Sequence, residues 1–101
     1  MKVKIPFKPR FKEPMLNGQK TWTSRNRWYG QIGDTFDAFG QEFRIFNRAR
    51  MQLGYVADHY KEEGCKSRED FIELWKQIHP RRGFLPQQIF KVHQFKKVGE
   101  R

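Results

Sequence analysis

Cysteine is nearly absent from the 101 residues: Cys65 stands alone. No intramolecular disulfide can form, which fits a reducing compartment, and cytoplasm is the expected location. No apolar run approaches the roughly 18 residues that a membrane span needs, so no membrane partner is expected. The first ten residues, MKVKIPFKPR, are basic but lack an apolar core of signal-peptide length. Metal-ligand spacing is missing too. His59, Cys65, His79 and His93 are scattered, with no CxxC or HxxxH pair, so neither zinc nor another metal is expected. The chain has no GxxxxGK[ST] or GxGxxG loop to cradle phosphates and no GxSxG nucleophile elbow. No cofactor is implied. Repeats, low-complexity tracts and linkers are also missing, and one domain over residues 1–101 is the expectation.

Acidic residues are scarce. Eleven Asp and Glu face 21 Lys and Arg, for a net charge of +10. The first fifty residues carry eleven bases against four acids, and the remainder ten against seven. An excess of this kind favours a polyanionic partner, usually nucleic acid. A mean hydropathy of -0.94 and 32% charged residues would by themselves point to disorder. The 16% aromatic content and the patterned segments argue instead for a folded domain, because large rings supply much apolar area.

Val3, Ile5 and Phe7 alternate with lysines, which predicts a short strand, with Pro6 suited to an edge. Phe11, Met15 and Leu16 share a helical face that Pro14 limits to a turn and Asn17-Gly18 ends. Lys20 to Arg25 reads as a second strand and Asn26 to Gly33 as a loop with an aromatic and basic tip. Thr35 to Phe39 reads as a third strand, turning at Gly40-Gln41 into a partner strand from Glu42 to Met51. A helix is predicted over Leu53 to Glu63, with Gly64 as its stop. Ser67-x-x-Asp70 resembles a capping box with a shorter acid, followed by Phe71, Leu74, Trp75 and Ile78 at helical spacing. Pro80 ends that helix, Arg81-Arg82-Gly83 is a basic loop, and Gln88 to Val98 reads as a long final strand. Early strands with a helical pair before the last strand predict an α+β fold with a small, curled, barrel-like sheet.

Two groups of residues carry candidate chemistry. Thr21, Thr23 and Ser24 are hydroxyls beside Lys20, and a desolvated lysine can take a hydroxyl's proton. In a flat strand positions 20 and 23 face opposite sides, so that pair needs Lys20 at a turn or a bulge in the strand. The plain alternative is that the threonines are strand formers and Lys20 is solvated. Arg25, Arg27, Trp28 and Tyr29 are the types that stack bases and grip phosphates, and Arg48, Arg50, Arg81 and Arg82 extend such a surface. There the alternative is that Trp22 and Trp28 are core and the arginines a solvated face; Trp75 reads as core. Glu62 and Glu63 at a helix C-terminus oppose the helix dipole.

The run F-x3-M-L-x-G-x-K-T-x-T-x-R, then Gly33-Asp34, then Glu-Glu-Gly-x2-Ser before an aromatic-rich helix resembles the ASCH domain of the PUA-like superfamily. Its anchors here are Phe11, Met15, Leu16, Gly18, Lys20, Thr21, Thr23, Arg25, Gly33, Asp34, Glu63, Phe71 and Trp75, and the likeness spans residues 4–98. The resemblance implies a small PUA-like β-barrel with helices covering it, a site between barrel and helices, and a link to RNA. One branch removes the acetyl group from acetylcytidine. By that likeness Lys20 would deprotonate Thr23, Thr23 would attack the amide, and Glu63 would handle water or the leaving amine. Ser24 stands where the family pattern has an apolar residue, and Glu62 competes with Glu63 for the acid's place. The expected function is recognition of RNA or a modified nucleoside through a basic cleft. The alternatives are a hydrolase with a Lys-Thr-Glu centre, acting on acetylcytidine or as a ribonuclease, and a basic protein-interaction domain.

Overall fold

The computed structural model of the chain describes residues 1–99. Four strands, β1 (Trp22–Arg25), β2 (Thr35–Ala38), β3 (Gln41–Gln52) and β4 (Ile89–Lys97), form one antiparallel sheet in the order β1-β4-β3-β2. The fold is α+β, a curled half-barrel with three helices, α1 (Lys12–Leu16), α2 (Leu53–Asp58) and α3 (Arg68–Ile78). Along β3, Phe43 and Ile45 point into the core while Arg44 and Phe46 face out. The register with β4 then shifts between Ile45 and Asn47. Such a bulge bends its strand and raises the local twist, which is what curls a sheet.

The β2–β3 hairpin turns one residue earlier than its sequence suggests. Ala38 pairs with Gln41, so the loop is Phe39-Gly40, with φ of 54° and 79°. Positive φ at both positions makes this the type I′ turn whose twist suits a tight hairpin. Phe39 therefore leaves the strand.

The expected strand over residues 3–7 does not form. Lys2 makes one bridge to Thr35: the Val3 N–H donates to the Thr35 carbonyl at 2.8 Å, and the Thr35 N–H to that of Met1 at 3.0 Å. Pro6 has no N–H with which to extend a ladder. The segment instead crosses from β2 towards β1. Phe7 stacks on Phe36 at 5.6 Å and meets Phe95 edge-on, and the Pro6 carbonyl accepts a hydrogen bond from Arg25. The two edge strands are thus joined by an irregular strap. Phe36, Phe43 and Phe95 form the centre it covers, with ring centroids 5.2 to 5.5 Å apart.

The helix predicted over Leu53 to Glu63 ends at Asp58. The His59 backbone leaves the helix, and its carbonyl accepts from the N–H groups of both Glu62 and Glu63. The ring of His59 packs against those of Trp22 (5.0 Å) and Tyr55 (4.4 Å), which also stack on each other at 6.4 Å. Residues 59–64 form turns, so the two glutamates do not sit on a helix end. α3 begins as predicted: Ser67 Oγ accepts from the Asp70 N–H at 3.0 Å. The Asp70 carboxylate accepts from the Lys66 N–H, one residue before the position a capping box uses, and pairs with Arg10. Phe71, Leu74 and Trp75 are buried against the sheet side, with Trp75 edge-on to Phe90 at 4.7 Å, while Ile78 stays partly exposed. Among the described residues no helix is long and apolar enough to cross a membrane.

Candidate functional site

Lys20 precedes β1, because the strand starts at Trp22 and not at Lys20. The strand-pleat objection to pairing it with residues of β1 therefore falls away. The Asn17-Gly18 turn folds the chain back, and the Lys20 N–H donates to the Pro14 carbonyl at 2.8 Å. The side chain points inward and is 3% exposed. Its ammonium donates to the carbonyls of Trp22 and Glu63, both at 2.7 Å, and stands 3.6 Å from Glu63 Oε1. It also lies 4.3 Å from the centre of the Phe11 ring. A protonated lysine has three donors, and three acceptors surround it here. Burial pushes its pKa down, opposed by the Glu63 charge.

Glu63 is carried in by the turn after α2. The Glu62 carbonyl accepts from the N–H groups of Thr21 and Trp22, at 2.8 and 2.9 Å, which docks the turn on the start of β1. Glu63 is 5% exposed, whereas Glu62 is half-exposed. Of the two acids the structure buries Glu63. Its Oε2 accepts from Ser24 Oγ at 2.8 Å. Thr23 is equally buried, but its Oγ1 accepts from Arg25 Nε at 2.9 Å. Among the described residues Lys20 makes no hydrogen bond to Thr23. Lys20, Thr23, Ser24, Arg25 and Glu63 nonetheless line one cleft of about 500 Å³. Its other wall is apolar, built by Phe7, Phe11, Phe71, Trp75 and Phe90. Trp75, read from the sequence as core, is both core and cleft wall.

His93, on β4, was not distinguishable by its sequence surroundings and is fully buried behind this site. Its Nε2 accepts from the Tyr29 N–H at 3.0 Å, so the ring's proton sits on Nδ1, 3.3 Å from the Thr23 carbonyl. Burial lowers its pKa. One imidazole thus ties β1 to the 26–33 loop.

That loop carries the second group. Arg27 lies over the Tyr29 ring at 4.1 Å, and Arg48 and Arg50 over Trp28 at 4.3 and 5.7 Å. Arg48 also donates to the Gly30 carbonyl at 2.9 Å. Arg27 and Arg50 are exposed, and Trp28 and Tyr29 half-buried. Arg25 belongs to both groups: its guanidinium lies 5.1 Å from the Phe7 ring in the cleft and 5.2 Å from the Tyr29 ring. Trp22 is core, stacked on His59, and is not part of this surface. Arg81 and Arg82 follow α3 in an exposed turn apart from the Trp28 group, with Arg82 acting on the cleft residue His79. Among the described residues no three His, Cys, Asp or Glu side chains gather to hold a metal ion.

No family model matches the chain, and no curated protein does. Solved structures do. The hypothetical protein PH0355 superposes with a TM-score of 0.71 at 14% identity, over 97% of this chain and 100% of that one. An ASCH domain from Lactobacillus crispatus JV V101 gives 0.62 at 12% identity, over 96% and 79%. Protein EF3133 from Enterococcus faecalis V583, of family DUF984, gives 0.60 at 17%, over 88% and 67%. At these identities the likeness is one of fold, and the fold is that of an ASCH domain.

Proposed function

We propose that this ASCH-fold domain recognises RNA or a modified nucleoside, with one base in the Lys20–Glu63 cleft and neighbouring phosphates on the arginines beside it. Arg25 carries this reading, because a single guanidinium borders both the cleft and the Tyr29 surface. A cleft of about 500 Å³ lies within the usual range for small-ligand sites. Its apolar wall suits a planar ring, and its polar wall offers a carboxylate and a guanidinium to the ring's edge. Arg27, Arg48 and Arg50 are held over aromatic rings, which pre-organises their guanidinium groups for phosphates. Arg81 and Arg82 would meet the strand beyond His79. The net charge of +10 suits a polymer better than a free nucleoside.

The test is the salt dependence of binding to a fluorescent single-stranded RNA. The logarithm of affinity should fall linearly with the logarithm of salt, by roughly 0.7 per phosphate contact. Arg27→Ala and Arg50→Ala should each flatten that slope by one contact. Affinity indifferent to salt would overturn the polymer reading.

A second reading, hydrolysis of a bound acyl nucleoside, is favoured by the Ser24–Glu63 hydrogen bond in the cleft wall, which pairs a hydroxyl with a buried carboxylate. By the ASCH resemblance its centre would be Lys20, Thr23 and Glu63. Release of cytidine from acetylcytidine tests it.

A further inference from the structure

Two adjacent hydroxyls, Thr23 and Ser24, reach the cleft and are treated in opposite ways. Thr23 Oγ1 accepts a hydrogen bond from Arg25 Nε, and among the described residues it donates to nothing. Ser24 Oγ donates to Glu63 Oε2 at 2.8 Å. A hydroxyl becomes a nucleophile when a base takes its proton, so the informative contact is the one it donates. Only Ser24 has a base in line. Ser24 is also half-buried, within reach of a ligand, whereas Thr23 is 3% exposed.

The carboxylate that would take the proton is fixed. Glu63 Oε1 faces the Lys20 ammonium, which is itself pinned by two backbone carbonyls at 2.7 Å. With its N–H groups directed at the Trp22 and Glu63 carbonyls and the Glu63 carboxylate, Lys20 has no lone pair turned towards Thr23. Its place is that of a positioning cation for Glu63.

We propose that Ser24 is the reacting hydroxyl of this cleft and Glu63 its general base, acting on an ester or amide carbonyl borne by a planar ligand. The proposal rests on the hydrolytic reading of the site. Ser24 Oγ bonds to the carbonyl carbon as its proton passes to Glu63 Oε2. The carbon–nitrogen or carbon–oxygen bond then breaks, and the leaving atom takes that proton from Glu63. Water next gives a proton to Glu63 and its oxygen to the acyl carbon. The Ser24 ester bond breaks, Ser24 recovers a proton from Glu63, and a carboxylic acid departs. Arg25, in the same wall, is the cation available to the negative charge that develops on the carbonyl oxygen.

A small alkyl fluorophosphonate tests the nucleophile without assuming the natural substrate. Ser24 Oγ would bond to phosphorus and fluoride would leave, giving one adduct per chain by intact mass, mapped to Ser24 by peptide sequencing. The adduct should be missing in Ser24→Ala and form at least about a hundredfold more slowly in Glu63→Gln, the usual minimum for a lost general base. Melting curves of both variants verify that they fold. An adduct on Thr23, or none on the folded wild-type chain, overturns the assignment. Acetylcytidine turnover is followed in parallel. Labelling of Ser24 without that turnover would uphold the nucleophile and dismiss acetylcytidine as its substrate. Turnover that survives in Ser24→Ala would keep the hydrolytic reading and overturn Ser24.

Discussion

Gly64 lies against the stem of Lys20: a Cβ added to the glycine would stand 3.0 Å from both Cβ and Cδ of the lysine. Its φ of +89° is also one that side chains with a Cβ adopt at a cost. The residue that stops the turn is therefore the one that lets Lys20 reach Glu63. Gly64→Ala is expected to lose about 1–3 kcal/mol from backbone strain alone, with a further loss from the displaced lysine. Urea denaturation measures the stability, and ligand binding should weaken along with it.

Lys20→Met leaves the Glu63 carboxylate buried without its cation and two carbonyls without a donor. Removing one partner of a buried pair costs about 3–5 kcal/mol. Adding Glu63→Gln should restore part of that loss, because the stranded charge goes with it. A double-mutant cycle in urea reads the difference, and strict additivity would mean that the two groups do not interact.

His93 predicts an acid-side loss of stability. Burial lowers its pKa in the folded chain below the usual value of about 6.5. Between those two values the unfolded chain binds the extra proton, so stability rises with pH there. It is complete above about pH 6.5 and falls as the pH drops towards the folded value. Protonating Nε2 would also break its bond to the Tyr29 N–H. His79, lowered mainly by burial, adds in the same direction. Urea midpoints from pH 5 to 8 should slope less in His93→Gln than in the wild type.

Ser67→Ala removes the oxygen that caps α3, whose Phe71 and Trp75 line the cleft. The expected loss is about 1 kcal/mol, visible in thermal melting, and Ser67→Asn should recover most of it. An unchanged melting temperature in the alanine variant would mean the cap contributes nothing.

Cys65 should be silent towards thiol reagents in the native chain. It is buried, and desolvation raises its thiol pKa to about 11. Its labelling rate should follow global unfolding, rising with urea along the same transition as the circular dichroism signal.

What the sequence disclosed follows from how local each feature is. The α3 cap and its Phe71, Leu74 and Trp75 stripe were legible, because Ser67 and the 3.6-residue period act within a few positions. The antiparallel β2–β3 pair was legible from alternation, but its turn was misplaced by one residue, since Phe39 at positive φ defies the glycine rule that placed it. The strand over residues 3–7 had the right alternation and no partner to complete it past Lys2. Glu63 was set apart from Glu62 only by likeness to a family. No periodicity separates it from Glu62; a non-helical turn does, held by the Glu62 carbonyl on Thr21 and Trp22. Ser24 read as a departure from a pattern, and its meaning depends on a carboxylate 39 positions away. His93 joins Thr23 to Tyr29 across the sheet, a relation that no stretch of sequence contains.

The sheet order sets when this domain can come into being during synthesis. β4 is the last of the four strands to be made, yet it lies between β1 and β3 and pairs with both. Until the ribosome has released residues 89–97, β1 has no strand to pair with, and Thr23 and Ser24 lack the ladder that sets their register. The β2–β3 hairpin can close early, because its contacts are local. The cleft cannot. Every nascent chain therefore carries a basic, aromatic-rich segment, β1 and the 26–33 loop, without a strand partner until translation has passed Lys97. Stalling before that point would expose that segment to whatever binds unfolded chains.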